Sequence, residues 1–203
     1  MSTTDMTTTK VVVRGSGRHV HLSKADVETL FGPGEELNVK SYLGDGKSGQ
    51  YLSDKKVTIV GPRGEATASV LGPCRKQSQV ELSYTEARPL GLKPPIGDSG
   101  KLKGTGACTL RGPAGEIHLD EGVIIASRHI HMTPADIEAL NIHDGDFVWV
   151  KVEGERELLF GQVLVRVSPE SARSVMHVDF DELNAAGLSS EADCIVLPAI
   201  RLN

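Results

Sequence analysis

Two stretches of this 203-residue chain are copies of one another. Residues 18–30 read RHVHLSKADVETL and residues 128–140 read RHIHMTPADIEAL, with seven of thirteen positions identical. Four more exchange like for like: Val20/Ile130, Leu22/Met132, Ser23/Thr133 and Val27/Ile137. The offset of 110 residues is about half the chain, so the repeat marks two copies of one structural unit rather than a short-period solenoid.

Both copies predict the same local structure. Lys10-Val-Val-Val-Arg14 and Gly122-Val-Ile-Ile-Ala126 are strand-like segments ahead of the motif. The His-x-His pair then sits at a strand end and a helix follows at once. Ser23 or Thr133 is placed as N-cap, with Asp26 or Asp136 three residues later in a capping-box-like position. Pro134 takes the first helical position, where its missing N–H costs nothing. Phe31-Gly-Pro-Gly34 and Asn141-Ile-His-Asp-Gly145 stop the two helices.

The remainder reads as short strands between Gly-Pro and Asp-Gly turns. Val57–Val60 precedes Gly61-Pro-Arg-Gly64, and Ala107–Leu110 precedes Gly112-Pro-Ala-Gly115. Asp146–Val152 and Gly161–Val167 alternate with period 2, and Met176–Val178 leads to a short helix near Asp181–Ala186. Many short strands with few helices imply β-barrels. Aromatic residues make up only 4% of the chain, so the core must be built from Val, Ile, Leu and Ala. Residues 32–56 and 85–106, rich in Gly, Lys, Pro and Ser, read as long loops.

Charge and cysteine usage exclude several classes. Lys and Arg total 22 against 27 Asp and Glu, a net charge of −5, which argues against a nucleic-acid partner. No apolar run approaches the ~20 residues that cross a bilayer, so no membrane partner is expected. Met1–Lys10 lacks the apolar core of a secretory signal, and a soluble intracellular protein is expected. Cys74, Cys108 and Cys194 are odd in number and far apart, which excludes a disulfide framework or a Cys-type zinc finger. The bland reading of each is a small half-buried strand residue in a reducing compartment.

Four of the seven histidines form the two His-x-His pairs. Residues i and i+2 of a strand project from one face about 6.6 Å apart, close enough for two imidazoles to lean onto one metal. The same doublet in the same frame of an internal repeat favours ligation over an ordinary satisfied histidine. A duplicated unit gathers equivalent strand ends, so two metal sites or one dinuclear site is expected. Zinc on two His needs further ligands. Glu81, between Val80 and Leu82, is a candidate against the bland reading of a solvent-facing carboxylate. His177, between Met176 and Val178, is the fifth candidate imidazole. His118 and His143 fall in polar surroundings and are taken as exposed. Arg75, after Gly72-Pro-Cys74 and read as opening the strand that carries Glu81, can offer a planar fork to an oxyanion such as phosphate. Cys74 is a weaker candidate, as a thiolate nucleophile.

Arg18-His-Val-His-Leu22, Leu71-Gly-Pro-Cys-Arg75 with Gln79-Val-Glu81, Arg128-His-Ile-His-Met-Thr-Pro134 and Met176-His-Val-Asp179 occur in this order. Together they resemble the PduL-type phosphate propanoyltransferases, phosphotransacylases associated with bacterial microcompartments, from about Val11 to Leu197. The resemblance implies a mainly β fold of two β-barrel domains capped by short helices, with segments exchanged between the barrels. Residues 8–17 with 127–203 would form one barrel, and 18–126 the other. It implies two zinc ions per chain, one on His19, His21 and Glu81, the other on His129, His131 and His177. Arg75 matches the phosphate-binding arginine. Ser16, Gly17, Arg18, Lys40, His177 and Asn184 fall where the family contacts coenzyme A, and Ser69 stands where a further CoA-contacting Arg is expected. The polar N-terminus lacks the amphipathic face of an encapsulation helix. A cytoplasmic enzyme is therefore expected, or one in a microcompartment lumen by another route, with self-association left open.

The implied reaction is acyl-CoA plus phosphate giving acyl phosphate plus CoA, for propanoyl or acetyl groups, by direct attack in a ternary complex. Two other readings stay open on the residues alone. A dinuclear zinc hydrolase would release thiol without phosphate. A non-catalytic metal-binding barrel would have closed sites and would unfold on chelation.

Overall fold

The computed structural model describes residues 9–44, 49–189 and 191–197. The part of the N-terminal stretch up to Thr8, read above for its lack of an amphipathic face, lies outside them. Strand β1 (Thr9–Ser16) leads into β2 (His19–Ser23) and helix α1 (Lys24–Phe31). Then come β3 (Val39–Tyr42), β4 (Tyr51–Val60), β5 (Glu65–Arg75), β6 (Gln79–Leu82) and α2 (Tyr84–Leu90). β7 (Ile96–Gly97), β8 (Gly106–Arg111) and β9 (Glu116–Ala126) complete the first copy of the motif and its surroundings. The second copy comprises β10 (His129–Met132), α3 (Pro134–Leu140), β11 (Phe147–Val152), β12 (Leu158–Val167), β13 (Val175–Asp179), α4 (Phe180–Ala185) and β14 (Ala192–Leu197).

The chain divides into two compact units. One takes the chain up to Ser16 and from Ser127 onward, the other Gly17–Ala126. The first is a closed six-stranded barrel in the order β1-β13-β10-β12-β11-β14. Closure leaves no unpaired strand edge. Its interior is filled from alternate strand positions, among them Val13, Ile130, Met132, Val150, Val165 and Met176, all fully buried. Among the described residues, Phe160 is the one aromatic side chain in that core.

The second unit has the strand order β3-β4-β5-β2-β6-β9-β7. Because β8 pairs with both β4 and β9, the path β4-β5-β2-β6-β9-β8 also returns on itself. β3 and β7 are outlying strands. The two rings match strand for strand. β2 and β10 run parallel to β5 and β12, and antiparallel to β6 and β13. β1, which precedes the first motif, pairs in parallel with β13 beside the second, and β9, which precedes the second, pairs in parallel with β6 beside the first. The chain is thus mainly β, with each repeat's leading strand incorporated in the other repeat's ring.

The helices start as their sequences dictate, with one change. Ser23 and Thr133 accept from the backbone N–H of Asp26 and Asp136 at 3.1 and 3.2 Å. The carboxylates do not return to the cap backbone as in a capping box. That N–H goes instead to Ser78 Oγ (2.9 Å) or Ser174 Oγ (3.0 Å), and each serine donates to the aspartate. The same polar triad therefore stands behind both His-bearing strands.

Two segments read as loops are partly regular. Within 85–106, α2 carries a complete capping box between Ser83 and Glu86 and ends on Gly91 in the left-handed region (φ 75°). Pro89 inside the last turn, with the Gly-, Pro- and Lys-rich run behind it, conceals this helix in the sequence. Within 32–56, β3 pairs antiparallel with β4, which begins at Tyr51. A register shift against β5 between Leu52 and Lys56 breaks the alternation that would have revealed the strand. Among the described residues, no helix is long and apolar enough to cross a membrane.

Candidate metal centres

In the unit of residues 17–126, the antiparallel ladder sets His19 directly opposite Glu81. Val20 and Leu22 enter the core, so His19 and His21 share the other face of β2. All three polar groups are buried, at 7%, 3% and 8% exposure for His19, His21 and Glu81. His19 Nε2 lies 3.4 Å from Glu81 Oε2, and His21 Nε2 lies 3.9 Å from Oε1. Two ligand atoms on a tetrahedral zinc are about 3.3 Å apart, given bonds of about 2.0–2.1 Å. The spacing already approaches that of a metal site.

Two further features fit a cation. His19 Nδ1 lies 2.9 Å from the Gly17 carbonyl, which holds a proton on that nitrogen and turns Nε2 inward, the outer support a ligating imidazole requires. His21 turns its Nε2 toward Glu81 and has the backbone of Leu71 as its other hydrogen-bonding neighbour. Burial, with the charges of His19 and Arg75, lowers the His21 pKa to about 3, so the ring is neutral and competent as a ligand. Burial also opposes charge on His19 and Glu81, yet their mutual attraction wins: His19 is raised and Glu81 held well below the usual carboxylate range.

The other unit repeats the arrangement with a third imidazole. His129 stands directly opposite His177 on β13, and His131 follows on β10. The three half-buried rings have centroids 5.1, 5.3 and 5.4 Å apart, a nearly equilateral set. His129 Nδ1 lies 2.9 Å from the Ser127 carbonyl, copying His19 and Gly17, and His131 Nδ1 lies 2.8 Å from Ser168 Oγ. Burial and the neighbouring His129 and Arg166 lower the His131 pKa to about 4. Each trio offers one ligand atom per residue, all within 4.8 Å of one another. Both donor sets, His/His/Glu and His/His/His, suit zinc with a coordination position left open.

Arg75 closes β5 rather than opening the strand that bears Glu81. It is nonetheless brought to the centre, because Nη1 donates to Ser99 Oγ at 2.9 Å and Ser99 Oγ donates to Glu81 Oε1 at 2.8 Å. Ser99 lies in the stretch read as a loop, and no sequence pattern marked it.

A family model of phosphate propanoyltransferases matches residues 12–189. Curated relatives named phosphate propanoyltransferase include one from Clostridioides difficile (strain 630), 48% identical over 180 residues, covering 88% of this chain and 85% of the relative. One from Thermotoga maritima is 50% identical over 182 residues, 89% of this chain and 85% of its own. One from Leptotrichia buccalis is 47% identical, with 88% and 84% covered. The chain belongs to the phosphate propanoyltransferase family.

The other residues that the family resemblance singled out fall as follows. Ser16 ends β1, opposite Asp179 on β13. The Gly17 carbonyl is the partner of His19. Arg18 Nε donates to the Thr67 carbonyl at 2.7 Å and Nη1 reaches Glu86 at 3.3 Å. Lys40 is exposed on β3 and Asn184 exposed on α4, while Ser69 pairs with His19 across β5 and β2. His118 and His143 are exposed, at 60% and 81% of their side chains, and join neither trio. Cys108 and Cys194 are buried strand residues whose thiols burial pushes up to about 12. Cys74 is an exposed residue, and partial desolvation of its thiol, opposed in part by Lys24, raises its pKa, which does not favour a thiolate nucleophile there.

A signal finer than the twofold repeat would have marked Glu81 and His177 from sequence. The motif occurs four times. Val20, Val80, Ile130 and Met176 are each followed by a member of one of the two trios: His21, Glu81, His131 and His177. Two residues further on stand the N-caps Ser23, Ser83, Thr133 and Asp179, each accepting from the backbone N–H of an acid three residues later. One strand-helix unit thus brings a candidate ligand to the equivalent position four times, twice in each of the two units. The half-chain repeat conceals this because Gln79 and Val175 replace the first histidine.

The depressed histidines set a pH dependence for the metal-free protein. Unfolded, His21 and His131 take protons below about 6.5; folded, they resist until about 3 and 4. The unfolded state therefore binds more protons across that interval, and stability falls as the pH drops through it. His19, raised, acts in the opposite sense and offsets part of the loss. The denaturation midpoint of chelator-treated protein is expected to fall between pH 7 and pH 5, and a midpoint constant over that range would contradict these environments.

Proposed function

We propose that the chain is a zinc-dependent phosphotransacylase that converts a short-chain acyl-CoA, propanoyl or acetyl, and phosphate into acyl phosphate and CoA. Its membership of the phosphate propanoyltransferase family supports the reaction class. The observation that carries the metal dependence is the pair of three-residue ligand sets at equivalent places of the two units, one of them linked to Arg75 through Ser99. Cations in these sets would supply Lewis acidity for a thioester carbonyl and a partner for the departing thiolate.

The chain's own residues would do the rest. Arg75 presents a planar fork suited to bidentate binding of a phosphate, and its charge also reaches His19 and His21. Ser16, Gly17, Arg18, Lys40, His177 and Asn184 are the proposed contacts for CoA. Phosphate held by Arg75 attacks the thioester carbonyl carbon directly, the C–S bond breaks, CoA leaves as thiolate and takes up a proton, and acyl phosphate results. Holding the two reactants together supplies orientation that free solution lacks. The raised pKa of Cys74 supports direct attack over an acyl-cysteine intermediate.

Thiol release from propanoyl-CoA, followed with and without phosphate, tests the reaction. The transferase requires phosphate and yields propanoyl phosphate. Release at equal rate without phosphate would establish a hydrolase instead.

A further inference from the structure

Besides Glu81 standing where the other unit has His177, the two ladders differ at a second position. Opposite His131 stands Val175, but opposite His21 stands Gln79, whose side chain is fully buried. An amide is costly to bury unless all its groups are satisfied, and this one satisfies them within the centre. Its Oε1 accepts from the backbone N–H of Gly100 at 2.7 Å. Because Gly100 N–H can only donate, the amide is fixed with Nε2 on the opposite side. From there Nε2 donates to Ser99 Oγ at 2.8 Å and to Glu81 Oε1.

Ser99 adds its own bond to the same oxygen. Glu81 Oε1 therefore receives two hydrogen bonds, while Oε2 faces His19 Nε2 at 3.4 Å. The Ser99 hydroxyl donates once, to Glu81, and accepts twice, from Arg75 and Gln79, which uses its full capacity. Gln79 thus holds the metal-facing carboxylate in one rotation and fixes the serine on which Arg75 rests.

We propose that Gln79 is a positioning residue of the His19–His21–Glu81 centre, turning Glu81 so that Oε2 alone ligates and coupling that carboxylate through Ser99 to Arg75. This rests on the reading of the two trios as metal sites. The other unit, with Val175 at this position, has no counterpart, so its centre serves as an internal control.

The experiment is zinc competition with a chromophoric chelator on the full-length protein, comparing wild type with Gln79→Met, which keeps length and removes all three hydrogen bonds. Loss of outer support typically weakens metal binding 10–100-fold. One of the two zinc ions is expected to weaken by about that factor while the other is unchanged, and KM for phosphate is expected to rise about tenfold with KM for propanoyl-CoA constant. Two zinc ions held as in wild type, whatever the change in melting temperature, would overturn the proposal. Wild-type protein that binds no zinc would instead overturn the metal reading beneath it. Should the variant not fold, a crystal structure of the zinc-loaded wild type decides: ligation by Glu81 Oε2 alone supports the proposal, and ligation by both oxygens or by Gln79 itself refutes it.

Discussion

Replacing His129 with Ala is expected to leave one zinc ion per chain instead of two and to lower phosphate-dependent thiol release from propanoyl-CoA by about 10²–10³-fold. A Lewis acid at a developing charge contributes several kcal/mol, and each 1.36 kcal/mol is a factor of ten in rate. His19→Ala is expected to act alike on the other centre. Neither variant should unfold. The two cores are built mainly of aliphatic side chains rather than of the imidazoles, among them Val13, Ile130, Val165 and Met176 in one and Val20, Val70, Val80 and Leu110 in the other. Retention of fold with loss of turnover would separate a catalytic metal from a structural one, whose removal unfolds the chain. Undiminished turnover in either variant, measured by thiol release at saturating phosphate, would show that its centre has no part in the reaction.

Arg75 gives the second large effect. Arg75→Ala is expected to raise KM for phosphate about 100-fold and Arg75→Lys about tenfold, with KM for propanoyl-CoA little changed. The lysine keeps the charge but loses the planar fork that matches two phosphate oxygens, so the gap between the variants isolates geometry from charge. Part of the alanine effect passes through Ser99, which loses one of its two donors. A phosphate KM that is the same in Arg75→Ala as in wild type would remove Arg75 from the phosphate site.

The sequence exposed the site more fully than the fold around it. The histidine doublets were legible because they recur in one frame between a β-branched strand and a capped helix, and a backbone that repeats places repeated side chains alike. His177 and Glu81 were legible only in part. Each is a polar residue between two apolar ones in a short strand, and what makes it a candidate ligand is the antiparallel partner across the ladder, a long-range fact. The exchange of β1 and β9 between the rings is likewise set by long-range pairing, Val12 with Val175 and Val80 with Val123, and local periodicity does not record it. Helix α2 was hidden by Pro89, although the capping box at Ser83 and Glu86 was present in the sequence. Ser99 carried no signal, and Gln79 entered only as part of the Gln79-Val-Glu81 stretch with no role of its own, since a serine in a Gly-rich stretch and a glutamine at a strand start have many ordinary explanations. Only the closed set of hydrogen bonds around Glu81 gives them roles.

The central claim, that the two trios hold metal, is tested most directly by the mass of the folded chain under native electrospray conditions, compared with the same protein unfolded in acid. Protein purified without chelator is expected to carry two zinc ions, falling to one in His129→Ala. A folded mass equal to that of the bare polypeptide, unchanged after incubation with zinc, would contradict it.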